Sequence, residues 1–252
     1  MKNLLRLAGL LLLALLALQI YFVLRIAAMA VIAPESTSFE RSQAWQIVSK
    51  KDHLSWSQQW TPYAQISDNL KRAVIASEDD GFSTHGGVDW DAVNKAWDKN
   101  AKAEQRAEAR KPASPQAAAS AKPPKPLKPP KIIGGSTITQ QLAKNLFLAG
   151  ERTLLRKGQE LVITLLLEQL LSKERILEIY LNHVEWGEGV FGAEAAAQHY
   201  FNKPASKLSA YEAARLAVML PRPRFFEKVP NSAYVAGRAS VIVGRMGDAQ
   251  LP

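Results

Sequence analysis

TLLRKGQELVITLLLEQLLSKERILEIYLN, residues 153 to 182, is the stretch that decides the fold class. Leu161, Val162, Ile163, Leu165, Leu166, Leu167, Leu170 and Leu171 show no two-residue alternation and put apolar side chains on almost every side of a helix. That pattern predicts a helix from Thr153 to Leu171 buried within a domain, too short and too interrupted to be a membrane span. Ser172 then reads as the cap of a second helix, with Ile176, Leu177, Tyr180 and Leu181 as its buried face.

The same logic extends in both directions. Downstream, Ser209 and Glu212 form a capping box for a helix running to Met219, which the prolines of LPRP, residues 220 to 223, stop. Upstream, Ser67 caps a helix whose Leu70, Ala73, Val74 and Ser77 recur at helical spacing and which delivers Glu78, Asp79 and Asp80. No alternating strand pattern of useful length remains, so the fold class is mainly α. A chain of 252 residues with 47% hydrophobic content suits one sizeable core with accessory segments.

The amino terminus is different in kind. From Leu7 to Leu24 the chain is apolar except for Gln19. At about 1.5 Å per residue such a helix crosses most of a hydrocarbon layer of roughly 30 Å. Lys2 and Arg6 precede it, which keeps that end in the cytoplasm and puts everything after about Ile32 on the outer side. Arg25 is placed to snorkel to the outer interface. The alternative is a cleaved signal peptide with Ala28, Met29 and Ala30 as its small-residue site, but its apolar region would be longer than usual. Residues 1–32 are thus read as cytoplasmic tip and transmembrane anchor, 33–66 as a membrane-proximal segment and 67–252 as the functional domain. Trp45, Trp56, Trp60 and Tyr63 in the second segment are expected to pack on the domain rather than form an interfacial collar.

Net charge is +9, but the surplus is local, falling largely in an insertion at about 98–131 that begins rich in Ala, Lys and Glu and ends KPASPQAAASAKPPKPLKPPK. Its prolines exclude a helix or central strand from the second half, leaving a solvated tether that could touch anionic lipid or polymer, or bind nothing specific. Nucleic acid is not an expected partner. The chain has no cysteine, which excludes disulfides, thiolate metal sites and a cysteine nucleophile.

Candidate chemistry sits in three places. In GGSTITQQLAKN, residues 134 to 145, Ser136 is the expected N-cap and Thr137, Gln141 and Lys144 share one acid-free face. The helix start and the lysine could bind phosphate; an ordinary capped helix with a solvated face is the equal alternative. Arg152, Arg156 and Glu160 repeat a four-residue spacing on the next helix, with Lys157 alongside, which reads as an anion site with Glu160 at its edge or as a plain Arg156–Glu160 ion pair. In SEDDGFSTHGGVDW, residues 77 to 90, Glu78 beside Asp79 and Asp80 should have its pKa raised by neighbouring charge, towards a value useful to a general base. No pair of histidines has metal-ligand spacing.

Taken together these stretches resemble the peptidoglycan glycosyltransferases. EDDGFSTHGGVDW is similar to the family's first signature, GGSTITQQLAKNLFL to its second, RKGQELVITLLLEQLLSKERILEIYLN to its third and WGEGVFGAEAAAQHYF to its fourth, in family order across residues 67 to 222. The chain departs from relatives in the Lys/Pro insertion between the first two signatures, and in LPRP where they often read LPNP. The few residues after the fourth signature lead us to expect no transpeptidase domain of the kind that many relatives carry. The resemblance implies a lysozyme-like α-helical domain with a larger lobe and a smaller membrane-facing lobe, polymerising lipid II with inversion to β-1,4-linked strands and release of undecaprenyl pyrophosphate. It implies Glu78 as base, Glu160 as a second catalytic carboxylate near the pyrophosphate, and Lys144, Arg152 and Arg156 as its cationic cradle. Asp79, Phe82, His85, Ser136, Thr137, Gln140, Gln141 and Asn145 would position the substrate. The implied partners are lipid II, the growing strand, the bilayer and other wall-synthesis proteins; a divalent cation such as Mg²⁺ would suit the pyrophosphate, without a complete protein metal site. Two rivals remain: a lysozyme-like enzyme that cleaves glycan, and a non-catalytic membrane-anchored scaffold.

Overall fold

The computed structural model describes residues 2–91, 93, 94, 97, 98, 101, 102, 105, 136–148 and 153–252. Among them are ten α-helices: α1 Lys2–Ala28, α2 Ser38–Lys51, α3 Asp68–Glu78, α4 Ile138–Phe147, α5 Leu154–Leu170, α6 Lys173–His183, α7 Ala193–Phe201, α8 Ala210–Met219, α9 Pro223–Phe226 and α10 Ala233–Arg245. A small sheet joins β1 Ser57–Gln58, β2 Glu185–Gly187 and β3 Val190–Phe191 in the order β1-β3-β2, with β1 parallel and β2 antiparallel to β3. Residues 1–88 and 137–252 form one compact unit and 89–136 another. Of the latter, the described residues between 90 and 105 are helical, and most of the Lys/Pro insertion lies outside the described residues.

The caps expected at Ser67, Ser172 and Ser209 are present, each hydroxyl accepting a first-turn N–H, and Ser209 completes its capping box with Glu212. A box of this kind satisfies two orphan donors and contributes about 1 kcal/mol. At α4 the expectation shifts by one residue: Thr137, not Ser136, is the N-cap. Its hydroxyl accepts the Gln140 N–H, and the Gln140 side chain accepts the Thr137 N–H in return. The mixed segment 33–66 hides a further box, Thr37 with Glu40, which opens the fourteen-residue α2.

The core is built from α3 against α8 and α10, with α4 packed on α2, α5 and α6. Fully buried Leu70, Val74, Ile75, Leu142, Ile163, Leu167, Ile176 and Leu177 belong to this one cluster. Two expectations need correction here. Helix α5 is not enclosed: Ile163, Thr164 and Leu167 are buried, but Leu161, Val162, Leu165 and Leu170 are exposed and Leu154 and Leu155 almost wholly so. An all-round apolar helix satisfies hydrocarbon as well as a protein interior, and α5 packs beside α1. Trp45, expected to pack, is exposed on α2, whereas Trp56 stacks on Phe191 at 4.5 Å and Trp60 and Tyr63 are half-buried against the core.

Helix α1 is exposed along most of its length, yet its last turns join the domain core through Phe22, Ile26 and Met29. Each such side chain contributes about 1.5–3 kcal/mol on full burial. Phe22 meets Phe147 edge to face at 5.2 Å, and Arg175 Nε donates to the Met29 carbonyl at 2.7 Å. Gln19, the one polar interruption of the apolar run, exchanges amide hydrogen bonds with Gln159 of α5 at 3.2 and 3.4 Å.

Candidate active site

Helix α3 stops at Glu78 because Asp79, its C-cap, turns extended and sends its carboxylate inward. Asp79 Oδ2 accepts the Ile138 N–H at 2.9 Å, the first amide of α4, and Oδ1 lies 2.8 Å from His85 Nε2. Gly87 N–H donates to His85 Nδ1 at 3.1 Å, so Nε2 carries the proton given to Asp79. Thr137 Oγ1 donates to the Gly87 carbonyl at 2.7 Å. Gly87 itself has φ +89°, and a Cβ there would stand 2.8 Å from both Thr164 Cγ2 and Glu168 Cγ of α5. The stretches 77–90 and 134–145 are thereby fastened to each other, with Gly87 packed against α5.

Glu78 projects from this frame half-buried. Its Oε2 accepts from Gln141 Nε2 at 3.1 Å, and Gln141 Oε1 accepts from the Tyr180 hydroxyl at 3.0 Å. Burial pushes the Tyr180 phenol well above its usual range, which keeps it a donor. The Glu78 carboxyl is raised above the usual carboxylate value, as expected, but for a different leading reason. Burial is the largest cause and the Asp79 charge a lesser one, while hydrogen bonds from Gln141 and Ser77 pull the other way.

Lys144 follows Gln141 by three residues on α4, so the carboxylate's partner and a cation share one helix face. On α5, Glu160 is 4% exposed; its Oε2 accepts from Arg156 Nη1 at 3.0 Å and its Oε1 from Lys157. The Arg156–Glu160 ion pair weighed as one alternative is therefore present, with Lys157 as a second partner. Arg156 Nε is buried without a hydrogen-bond partner among the described residues, a donor left over after the Glu160 contact. Lys144 belongs to the same electrostatic group. Desolvation and the Arg156 and Lys157 charges lower its ammonium pKa, and Glu160 raises it. Its side chain is nonetheless exposed, so the surrounding protein desolvates it only in part.

The remaining candidates divide by position. Asp79, Thr137 and Gln140 are buried and committed to the cap and the α3–α4 junction, and Phe82 is fully buried with the Lys173 ammonium 4.6 Å above its ring. His85 and Asn145 are part-buried, Ser136 is exposed, and Arg152 lies outside the described residues. Tyr180 was read only as a core residue; nothing local marks its hydroxyl, which acts on a residue 39 positions away. Glu168, which accepts from Thr139 at 2.6 Å and from Lys173 at 2.9 Å, was also missed, although a carboxylate inside an apolar run is itself a signal.

Comparison with known proteins finds the family described as Transglycosylase matching residues 46–109 and 124–247. A biosynthetic peptidoglycan transglycosylase of Burkholderia thailandensis is 52% identical over 237 residues, covering 94% of this chain and 83% of the relative. Proteins of the same description from Burkholderia ambifaria and Herminiimonas arsenicoxydans are 52% and 50% identical, again over 94% of this chain and over 86% and 92% of their own lengths.

Proposed function

The chain belongs to the transglycosylase family, and from that membership and the side-chain geometry we propose how its residues perform the reaction. The protein is a peptidoglycan glycosyltransferase that polymerises lipid II into glycan strands. Glu78 is the general base. Its carboxylate takes the proton from the 4-hydroxyl of the acceptor N-acetylglucosamine as that oxygen attacks C1 of the donor N-acetylmuramic acid. The bond from C1 to the pyrophosphate oxygen breaks, configuration inverts to a β-1,4 link, and undecaprenyl pyrophosphate leaves.

The observation that carries this reading is the junction on α4. Gln141 orients a carboxylate of raised pKa, and Lys144, three residues on, shares a field with Arg156 and Lys157. A base at one end and a cationic group at the other is what inverting transfer from a diphosphate donor needs. Glu160 holds Arg156 and Lys157 in place, a positioning role, and the guanidinium so held offers its positive charge to the leaving group. Both Glu160 oxygens already face cations, so it makes a poor metal ligand, and no step is assigned to a divalent cation.

Helix α1 is the membrane anchor, oriented by Lys2 and Arg6 with the catalytic unit on the outer side. Retention of the helix is supported by Phe22, Ile26 and Met29, which a cleavage near Ala28 would strip from the core. The exposed apolar side of α5 then faces hydrocarbon beside α1. Incubation of the full chain with lipid II should yield β-1,4 strands and leave purified glycan strands uncut; cleavage of those strands would refute the synthetic direction.

A further inference from the structure

Where α1 leaves the apolar span, a pocket of about 200 Å³ opens between α1, α2 and α4. Its polar rim is Arg25, the first charged residue after the span, with Arg41, Ser36 and Ser38. Arg41 Nη1 donates to the Ser36 carbonyl and hydroxyl at 3.2 and 3.0 Å, and Nη2 to the Ser38 hydroxyl at 3.1 Å. These bonds fix the guanidinium without neutralising it. Among the described residues neither Arg25 nor Arg41 has a carboxylate partner, although nine other lysine or arginine ion pairs form among them. The rest of the lining is apolar and includes Phe22, Leu146 and Phe147, of which Phe22 and Leu146 are nearly inaccessible.

Two unpaired arginines and two hydroxyls with an apolar lining, at the depth where a bilayer changes from hydrocarbon to headgroup, match one chemistry: a phosphate carried on acyl chains. We infer that this pocket binds the phosphate of an anionic glycerophospholipid of the outer leaflet. The phosphodiester sits between Arg25 and Arg41, and the acyl chains descend along the α1 surface. Leu146 is two residues from Lys144 and points to the opposite side of α4, so the pocket is separate from the catalytic cations. The lipid would hold α1, α2 and α4 together and set the height of the catalytic unit above the bilayer. This inference rests on α1 being a membrane anchor, and not on the assignment of Glu78 or Arg156.

The test uses the full chain, delipidated in detergent, titrated with mixed micelles carrying dioleoylphosphatidylglycerol or dioleoylphosphatidylcholine, with lipid binding read by native mass spectrometry. Phosphatidylglycerol should bind the tighter. Arg25→Gln and Arg41→Gln should each weaken it about fivefold and the double variant about thirtyfold, from the attraction of one interfacial arginine for an anionic headgroup. Ser36→Leu, which fills the pocket with no change of charge, should also lose binding. Arg238→Gln, an exposed charge on α10, should change nothing. Equal losses from Arg238→Gln, undiminished binding by the double variant, or displacement of the lipid by inorganic phosphate or by undecaprenyl pyrophosphate would each overturn the assignment. Circular dichroism of every variant separates loss of binding from loss of fold, and lipid II polymerisation by the same preparations reports on the catalytic assignment independently. Extraction of the wild type from membranes by alkali alone would remove the anchor on which the inference depends.

Discussion

Tyr180→Phe deletes one oxygen atom from a fully buried side chain and leaves its packing intact. That oxygen donates to Gln141 Oε1 at 3.0 Å, and Gln141 in turn donates to Glu78 at 3.1 Å, so Tyr180 reaches the base only through the amide. A neutral hydrogen bond contributes about 0.5–1.5 kcal/mol, which corresponds to a fall in kcat of about two- to thirteenfold. Gln141→Leu removes the bond to the carboxylate itself, worth about 1.5–3 kcal/mol, or about ten- to a hundredfold in kcat. It should also move the acid limb of the pH–rate profile upward, because the Gln141 hydrogen bond lowers the Glu78 pKa and its loss leaves burial opposed only by the Ser77 hydrogen bond. The double variant should equal Gln141→Leu within error, since two groups in one relay do not add. The assay is lipid II polymerisation in detergent, with kcat measured across pH for the four proteins. Additive losses, or a Tyr180→Phe effect confined to KM, would refute the relay.

Arg156→Ala removes the cation proposed to face the leaving group and should lower kcat/KM for lipid II about a hundredfold or more; an unchanged value in steady-state kinetics would count against the pyrophosphate assignment. Gly87→Ala places a methyl group 2.8 Å from α5 at a φ of +89°, so thermal unfolding should begin several degrees lower, by about 2–4 °C for each 1 kcal/mol of strain. An unshifted Tm would mean the α5 contact yields freely.

What was legible in the sequence is what is local. Caps such as Ser67, Ser172 and Ser209 act on an amide two or three residues away, so composition and order suffice to find them. Thr137 and Ser136 differ by one position, and only the return bond from Gln140 decides between them. The Thr37–Glu40 box was written in the chain as plainly as the others, but scattered polar residues and Trp45 masked the helix behind it. The environment of α5 could not be read, because leucines have the same pattern whether they face a core or a bilayer. At the site, residue types were visible and their partners were not. Glu78 stands out in the sequence as an acid at a helix end, but its pKa is governed by burial that sequence does not display, and its hydrogen-bond chain ends at Tyr180 on a helix more than a hundred residues downstream.

The most direct test concerns Glu78 as the proton acceptor. In wild type, polymerisation at saturating lipid II should rise with pH through the raised Glu78 pKa and fall away on the acid side as the carboxylate protonates. Glu78→Gln should keep the fold and bind lipid II normally, lose about a hundred- to ten-thousandfold in kcat, and show no such acid limb in its residual rate. Near-normal glycan synthesis by Glu78→Gln, or an acid limb that survives the substitution, would show that the proton goes elsewhere.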